Sequence, residues 1–237
     1  PLLLDYLPEE KDRNLGWDYE TLMFSLEKIN NRKTSFLAFI NLSTDHTPFP
    51  KLNAPFNRHP HHATGEGGYL NSLHYTDWAI GEFFNKAKNE HWFENTIFVI
   101  TADHVLAHFQ NGGLLERFRI PLIFYAPKLL KPRIIETVSS QLDLMPTFIE
   151  FMGLDAEYTA FGTSLLRKQE SFALVREGSL VGIITDRAYL KHSLSRRMES
   201  GKLVDNVPDS YFDKLEARLL AWDRGAYDLT RKNIWAP

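Results

Sequence analysis

Three short apolar runs frame this chain: Ser35-Phe36-Leu37-Ala38-Phe39-Ile40-Asn41-Leu42, Thr96-Ile97-Phe98-Val99-Ile100-Thr101 and Ile120-Pro121-Leu122-Ile123-Phe124-Tyr125. Each is brief and apolar and stops at polar or turn-forming residues, so each reads as a buried strand. Helical patterns lie between and around them. Residues 18–28 lead a stretch with Leu22, Met23, Leu26 and Ile29 at helical spacing, and residues 69–89 repeat Leu73, Trp78, Ile80, Phe83, Phe84 and Ala87. Residues 143–152 form a short helix with Pro146 near its first turn and Gly153 at its end. Strand–helix–strand alternation of this kind predicts an α/β fold with a mostly parallel sheet and helices on both faces.

Residues 47–68 hold Pro48, Pro50, Pro55, Pro60, Gly65, Gly67 and Gly68 and read as a loop. A loop of about twenty residues is long enough to be functional. The last third changes character. Residues 171–175 and 180–185 flank Glu177-Gly178-Ser179 as a hairpin, a third strand follows at 187–192, and 208–222 form an amphipathic helix. The expected organisation is an α/β body over residues 1–170, with residues 171–237 as a small antiparallel extension packed on the same domain.

The 237 residues, 43% hydrophobic and 24% charged, exclude disordered and low-complexity classes. A net charge of −3 leaves no electrostatic footprint for nucleic acid. Without cysteine there is no disulfide, thiolate metal site or cysteine nucleophile. The apolar runs fall far short of the roughly 18 residues of a membrane span. The first residue is Pro1 rather than Met, which suggests a cut from something longer.

Eight of the nine histidines fall between positions 46 and 108. Two groups stand at the carboxyl ends of predicted strands, where α/β folds place ligands. Asp103-His104 follows the run 97–100. A carboxylate beside an imidazole suits Mn²⁺ or Zn²⁺, and Mg²⁺ or Ca²⁺ less well through the nitrogen; the plainer role is a turn cap with a polar neighbour. His46, in Ser43-Thr44-Asp45-His46-Thr47-Pro48-Phe49-Pro50, can bond an anionic substrate oxygen or protonate a leaving group. The plainer role is a solvated loop residue between the turn formers Asp45 and Thr47. His59, His61 and His62 make a histidine-dense loop, His108 lies four residues beyond His104, and His74 with Asp77 forms a polar helix face.

Taken in order, these segments resemble a known family. Gly16-Trp17-Asp18 precedes a helix, Asp45-His46-Thr47-Pro48-Phe49 follows a strand, and Tyr69-Leu70-Asn71-Ser72-Leu73-His74-Tyr75-Thr76-Asp77 opens a long helix. Phe93-Glu94-Asn95-Thr96 leads into the Asp103-His104 strand, then come Arg119-Ile120-Pro121-Leu122-Ile123 and Gln141-Leu142-Asp143-Leu144-Met145-Pro146-Thr147. The pattern, over roughly residues 14–165, resembles the C-terminal half of the sulfatase family in the alkaline-phosphatase superfamily. The branch it most resembles is that of lipoteichoic-acid synthases and phosphoglycerol transferases.

The resemblance implies an incomplete alkaline-phosphatase-like three-layer fold. It implies that Asp103 and His104 are metal ligands, that His46 meets a substrate phosphate or sulfate, and that the cation is Mn²⁺ in this branch, with Ca²⁺, Mg²⁺ or Zn²⁺ as alternatives. His108 joins His46 as a candidate substrate contact, although it has no clear counterpart in relatives. The family nucleophile, a threonine, serine or formylglycine, belongs to the N-terminal half, and no strand before Phe36 supplies one. The implied activity is hydrolysis or transfer of a sulfate ester or phosphoester on a small molecule, glycan or lipid headgroup. The implied location is the outer face of the cytoplasmic membrane or the periplasm, with membrane contact through N-terminal segments outside this chain. The alternative is a sulfatase-like binding or scaffold domain without catalysis.

Overall fold

The computed structural model describes residues 17–106, 112–167 and 172–233. Two compact units emerge, Pro1–Asn111 with Ile120–Pro132, and Gly112–Arg119 with Arg133–Pro237.

In the first unit the helical spacing seen in the sequence becomes α1 (Asp18–Asn30) and α2 (Glu66–Ala87). Leu22, Leu26 and Ile29 form one stripe of α1, and they pack against Ala79, Phe83 and Ala87 of α2 with Trp92 and Phe93. A second aromatic cluster joins Trp17, Leu52, Phe56 and Tyr75. Helix α2 begins at Glu66, three residues earlier than the pattern predicts, and takes two glycines into its first turn. A side chain at Gly67 would collide with the Pro60 carbonyl oxygen, and one at Gly68 with that of His62. These glycines let the helix start press against the histidine-rich loop.

The strands β1 (Phe98–Thr101) and β2 (Leu122–Tyr125) pair antiparallel, Phe98 opposite Tyr125 and Thr101 opposite Leu122. The α/β class holds, but all strand pairing among the described residues is antiparallel rather than mostly parallel. The run 35–42 also departs from expectation, since it joins no ladder. Phe36, Ile40 and Leu42 pack on the α1–α2 cluster, whereas Leu37 and Phe39 are 79% and 93% exposed. The apolar pattern alone records a run able to be buried on two faces; here one face is covered.

In the second unit β3 (Phe172–Glu177), β4 (Leu180–Thr185), β5 (Ala188–His192) and β6 (Arg197–Lys202) form an antiparallel meander in that order. Gly178, at φ 60°, supplies the left-handed conformation that turns β3 into β4. Helix α4 (Asp209–Lys232) lays Phe212, Leu215 and Leu219 on Val181, Ile183, Ala188 and Leu190. It runs ten residues past the predicted end at 222, and β6, which is polar, was not anticipated. Helix α3 (Leu144–Phe151) follows a turn fixed by Asp143, which accepts from the Ser140 and Thr163 amides at 2.7 and 2.8 Å.

Charged groups fasten the sheet to α4. The buried His192 accepts the Leu194 amide at Nδ1 (2.9 Å), so its Nε2 carries the proton and donates to Glu216 at 2.9 Å. Arg197 foremost, and His192 after it, hold the Glu216 carboxyl below the ordinary range against the opposing effect of burial. Leu215, 3% exposed at the centre of this packing, is expected to cost about 2–5 kcal/mol of stability on replacement by Ala. Met198→Ala, at an exposed position of β6, is expected to change it by less than about 0.5 kcal/mol. Chemical denaturation of both variants checks the contrast.

Candidate functional site

The site is built where two chain segments leave their supports. The first is the turn at residues 43–46, closed by the His46 amide donating to the Ser43 carbonyl at 3.2 Å. Its anchor is Asp18 at the start of α1, fully buried. One Asp18 oxygen, Oδ1, accepts the amides of Ser43 (2.9 Å) and Thr44 (3.0 Å). The other, Oδ2, accepts the Thr76 hydroxyl of α2 at 2.5 Å. Thr44 returns the contact, its Oγ1 accepting the Asp18 amide at 3.2 Å, so that a residue 26 positions away caps a free N–H of the helix. The positive end of α1 also favours the carboxylate.

From this turn His46 stands exposed. Its Nδ1 lies 2.6 Å from the Thr47 carbonyl, which only accepts, so Nδ1 carries a proton. Nε2 is therefore the outward-facing atom: an acceptor in the neutral ring and a donor in the imidazolium. Only the imidazolium can donate to an anionic oxygen there.

The second segment follows β1. The Thr101 hydroxyl donates to the Pro121 carbonyl at 2.9 Å and closes the end of the two-stranded ladder. Beyond it, Asp103 Oδ1 accepts the His104 amide at 2.9 Å. The His104 Nδ1 lies 2.8 Å from the Val105 carbonyl and so bears the proton. In the neutral ring this leaves Nε2 as the acceptor nitrogen, and that atom lies 3.6 Å from Asp103 Oδ2, with both side chains well exposed. Two ligands about 2.0–2.2 Å from one cation, at a tetrahedral angle, stand about 3.3–3.6 Å apart. The pair fits a divalent cation as two donors. Among the described residues no three His, Asp or Glu side chains are gathered as a complete ion site.

The two segments feel each other electrically. Burial, foremost, pushes the Asp45 carboxyl above its ordinary range, and the charges of Asp18 and Asp103 push it the same way while His46 opposes them. The Asp45 charge adds to burial in raising the Tyr69 phenol. Asp45, expected only as a turn former, thus sits in the field of Asp103.

The other predicted residues divide. His59, His61 and His62 are exposed, and Asn71 fixes their loop by accepting the His59 amide and donating to its carbonyl, both at 2.9 Å. His108 lies outside the described residues. Three groups were missed: Asp18, its partner Thr76, and Glu20. The Asp18 sequence signal, an acidic residue opening a helix, is shared with any ordinary cap.

The Sulfatase family model matches residues 4–154, and the chain belongs to the sulfatase family. Lipoteichoic acid synthase 1 of Bacillus subtilis is 26% identical over 179 residues, 66% of this chain and 27% of that protein. N-acetylglucosamine-6-O-sulfatase of Bacteroides thetaiotaomicron is 31% identical over 104 residues, 41% of this chain and 19% of that protein. A solved structure, a protein in the alkaline phosphatase superfamily from Vibrio parahaemolyticus, matches with a TM-score of 0.74 at 20% identity. The match covers 98% of this chain and 60% of that one. The fold is thus of the alkaline-phosphatase type, and the chain spans about a quarter of the length of the first of these relatives.

Glu20 gives a test of the electrostatics beside the anchor. It is 6% exposed, and neither carboxylate oxygen has a hydrogen-bond partner among the described residues. Burial foremost, with the Asp18 charge adding, raises its carboxyl from 4.5 to about 7. Between those values the folded state binds the proton more tightly than the unfolded one, so stability falls as pH rises through the window and the loss is complete above about 7. Glu20→Gln is expected to leave stability nearly unchanged at pH 4, below the unfolded value. At pH 8 it is expected to raise it by on the order of 1–3 kcal/mol. Equal effects at the two pH values contradict this.

Proposed function

We propose that this chain is part of a metal-dependent sulfatase-like enzyme that hydrolyses or transfers a sulfate ester or phosphoester. The reaction would pass through a covalent intermediate on a nucleophile outside the chain. The observation that carries the reading is the Asp103–His104 pair after β1, with Oδ2 and Nε2 3.6 Å apart; the charge of Asp103 reaching Asp45, beside His46, adds to it. Family membership supports it, and so do relatives named as lipoteichoic acid synthases and sulfatases.

In this reading Asp103 and His104 hold a divalent cation; the imidazole–carboxylate donor set suits Mn²⁺ or Zn²⁺, and the resemblance to the lipoteichoic-acid synthase branch implies Mn²⁺. When bound, such a cation offsets negative charge on ester oxygens. His46, with Nδ1 fixed on the Thr47 carbonyl, presents Nε2 to a substrate oxygen, and as the imidazolium it donates a bond or a proton to the leaving group. His108 is proposed as a second substrate contact. The substrate is a sulfated or phosphorylated small molecule, glycan or lipid headgroup.

The exposed apolar side chains Leu37 and Phe39 on the unpaired run 35–42 support a body completed by further chain. No helix among the described residues is long and apolar enough to cross a membrane. We place the intact protein at the outer face of the cytoplasmic membrane or in the periplasm, with membrane contact through segments outside this chain.

In the full-length protein, Asp103→Ala and His104→Ala are each expected to abolish metal-dependent turnover and lower bound metal, read by elemental analysis and by assay on sulfate-ester and phosphoester substrates. His46→Ala is expected to lower kcat by roughly 100-fold with metal retained. Wild-type metal content and rate in the two ligand variants overturn the site. A wild-type protein that holds metal but turns over no ester of either class would favour a binding or scaffold role.

A further inference from the structure

We infer that Asp18 is a positioning residue for His46, acting through the turn at residues 43–46 and held in place by Thr76. The inference rests on the role of His46 proposed above. Three features of the geometry carry it. Asp18 is fully buried, yet it makes no ion pair among the described residues; its carboxylate is spent on the Ser43 and Thr44 amides and the Thr76 hydroxyl. Its own amide is capped in return by Thr44, so α1 and the turn are fixed reciprocally. And the turn transmits that position directly, because the Ser43 carbonyl, next to an amide that Asp18 holds, accepts the amide of His46.

A stability role alone would not select this arrangement. The start of α1 could be capped by a short side chain within its own segment, as most helices are. Here the carboxylate instead reaches 25 and 26 residues along the chain to the turn and 58 residues to α2. The atoms it fixes are the backbone of the residues leading to His46. Misplacing a substrate-facing group by about 1 Å can cost roughly 100-fold in rate.

The test is a double-mutant cycle on kcat/KM in the full-length protein: Asp18→Ala, His46→Ala and both together. Asp18→Ala is expected to lower kcat/KM by roughly 10- to 100-fold in the wild-type background and by less than about 2-fold once His46 is gone. Asp18→Asn keeps a carbonyl oxygen for the two amides and offers a donor that the Thr76 hydroxyl accepts, so it is expected to recover most of the loss. Should Asp18→Ala fail to fold, Thr76→Val removes only the bond to Oδ2. It is expected to lower kcat/KM by roughly 3- to 10-fold with the same dependence on His46. A loss of equal factor with and without His46 overturns the positioning role while leaving the proposed site intact. Full activity in His46→Ala overturns both.

Discussion

A buried carboxylate holds this structure together at its most consequential point. Taking a charged group such as Asp18 out of water costs several kcal/mol. It is stable there because it accepts three hydrogen bonds and sits at the positive end of α1. Bonds to a charged acceptor contribute about 1.5–3 kcal/mol each. Without the carboxylate the buried Thr44 amide and the Thr76 hydroxyl would lose their partner. The helix pair α1–α2 gains its bulk from apolar packing, but where the 43–46 turn sits on that pair is decided by these polar contacts.

Negative charge accumulates around the same point. Burial foremost, with the charges of Asp18 and Asp103 adding, makes Asp45 hold its proton more tightly. Glu20, raised to about 7 chiefly by burial, also feels the Asp18 charge. A protein concerned only with stability gains nothing from bringing several carboxylates together. In the site proposed here a cation would offset that charge, and Asp103 Oδ2 and His104 Nε2, 3.6 Å apart, would serve as two of its donors.

Much of this could be read from the sequence, for identifiable reasons. Helices α1, α2 and α4 declare themselves because one stripe of each is buried, which stamps a 3.6-residue period on Leu22, Leu26, Ile29 and on Phe212, Leu215, Leu219. The β3–β4 hairpin was legible because Gly178 must take positive φ. The run 35–42 misled because an apolar pattern reports what a segment can bury, while the structure covers only one of its faces. Strand β6 left no trace, since it is polar and owes its place to pairing with β5. The Asp103–His104 and His46 candidates came from position after strands and from family resemblance. Asp18 did not, because nothing local separates a helix cap from a carboxylate whose partners lie 25 to 58 residues away.

The most direct measurement is paramagnetic broadening by Mn²⁺ in the NMR spectrum of the protein, with amides and imidazoles assigned in both segments. If the strand end at 102–105 and the turn at 43–47 border one cation site, substoichiometric Mn²⁺ broadens both sets of signals together. The His59–His62 loop, tied to the chain beyond that turn by the Phe49 amide and the Ala63 carbonyl, would broaden less than either segment at that dose. Broadening confined to the histidine loop, or spread evenly over exposed carboxylates, would contradict a shared site.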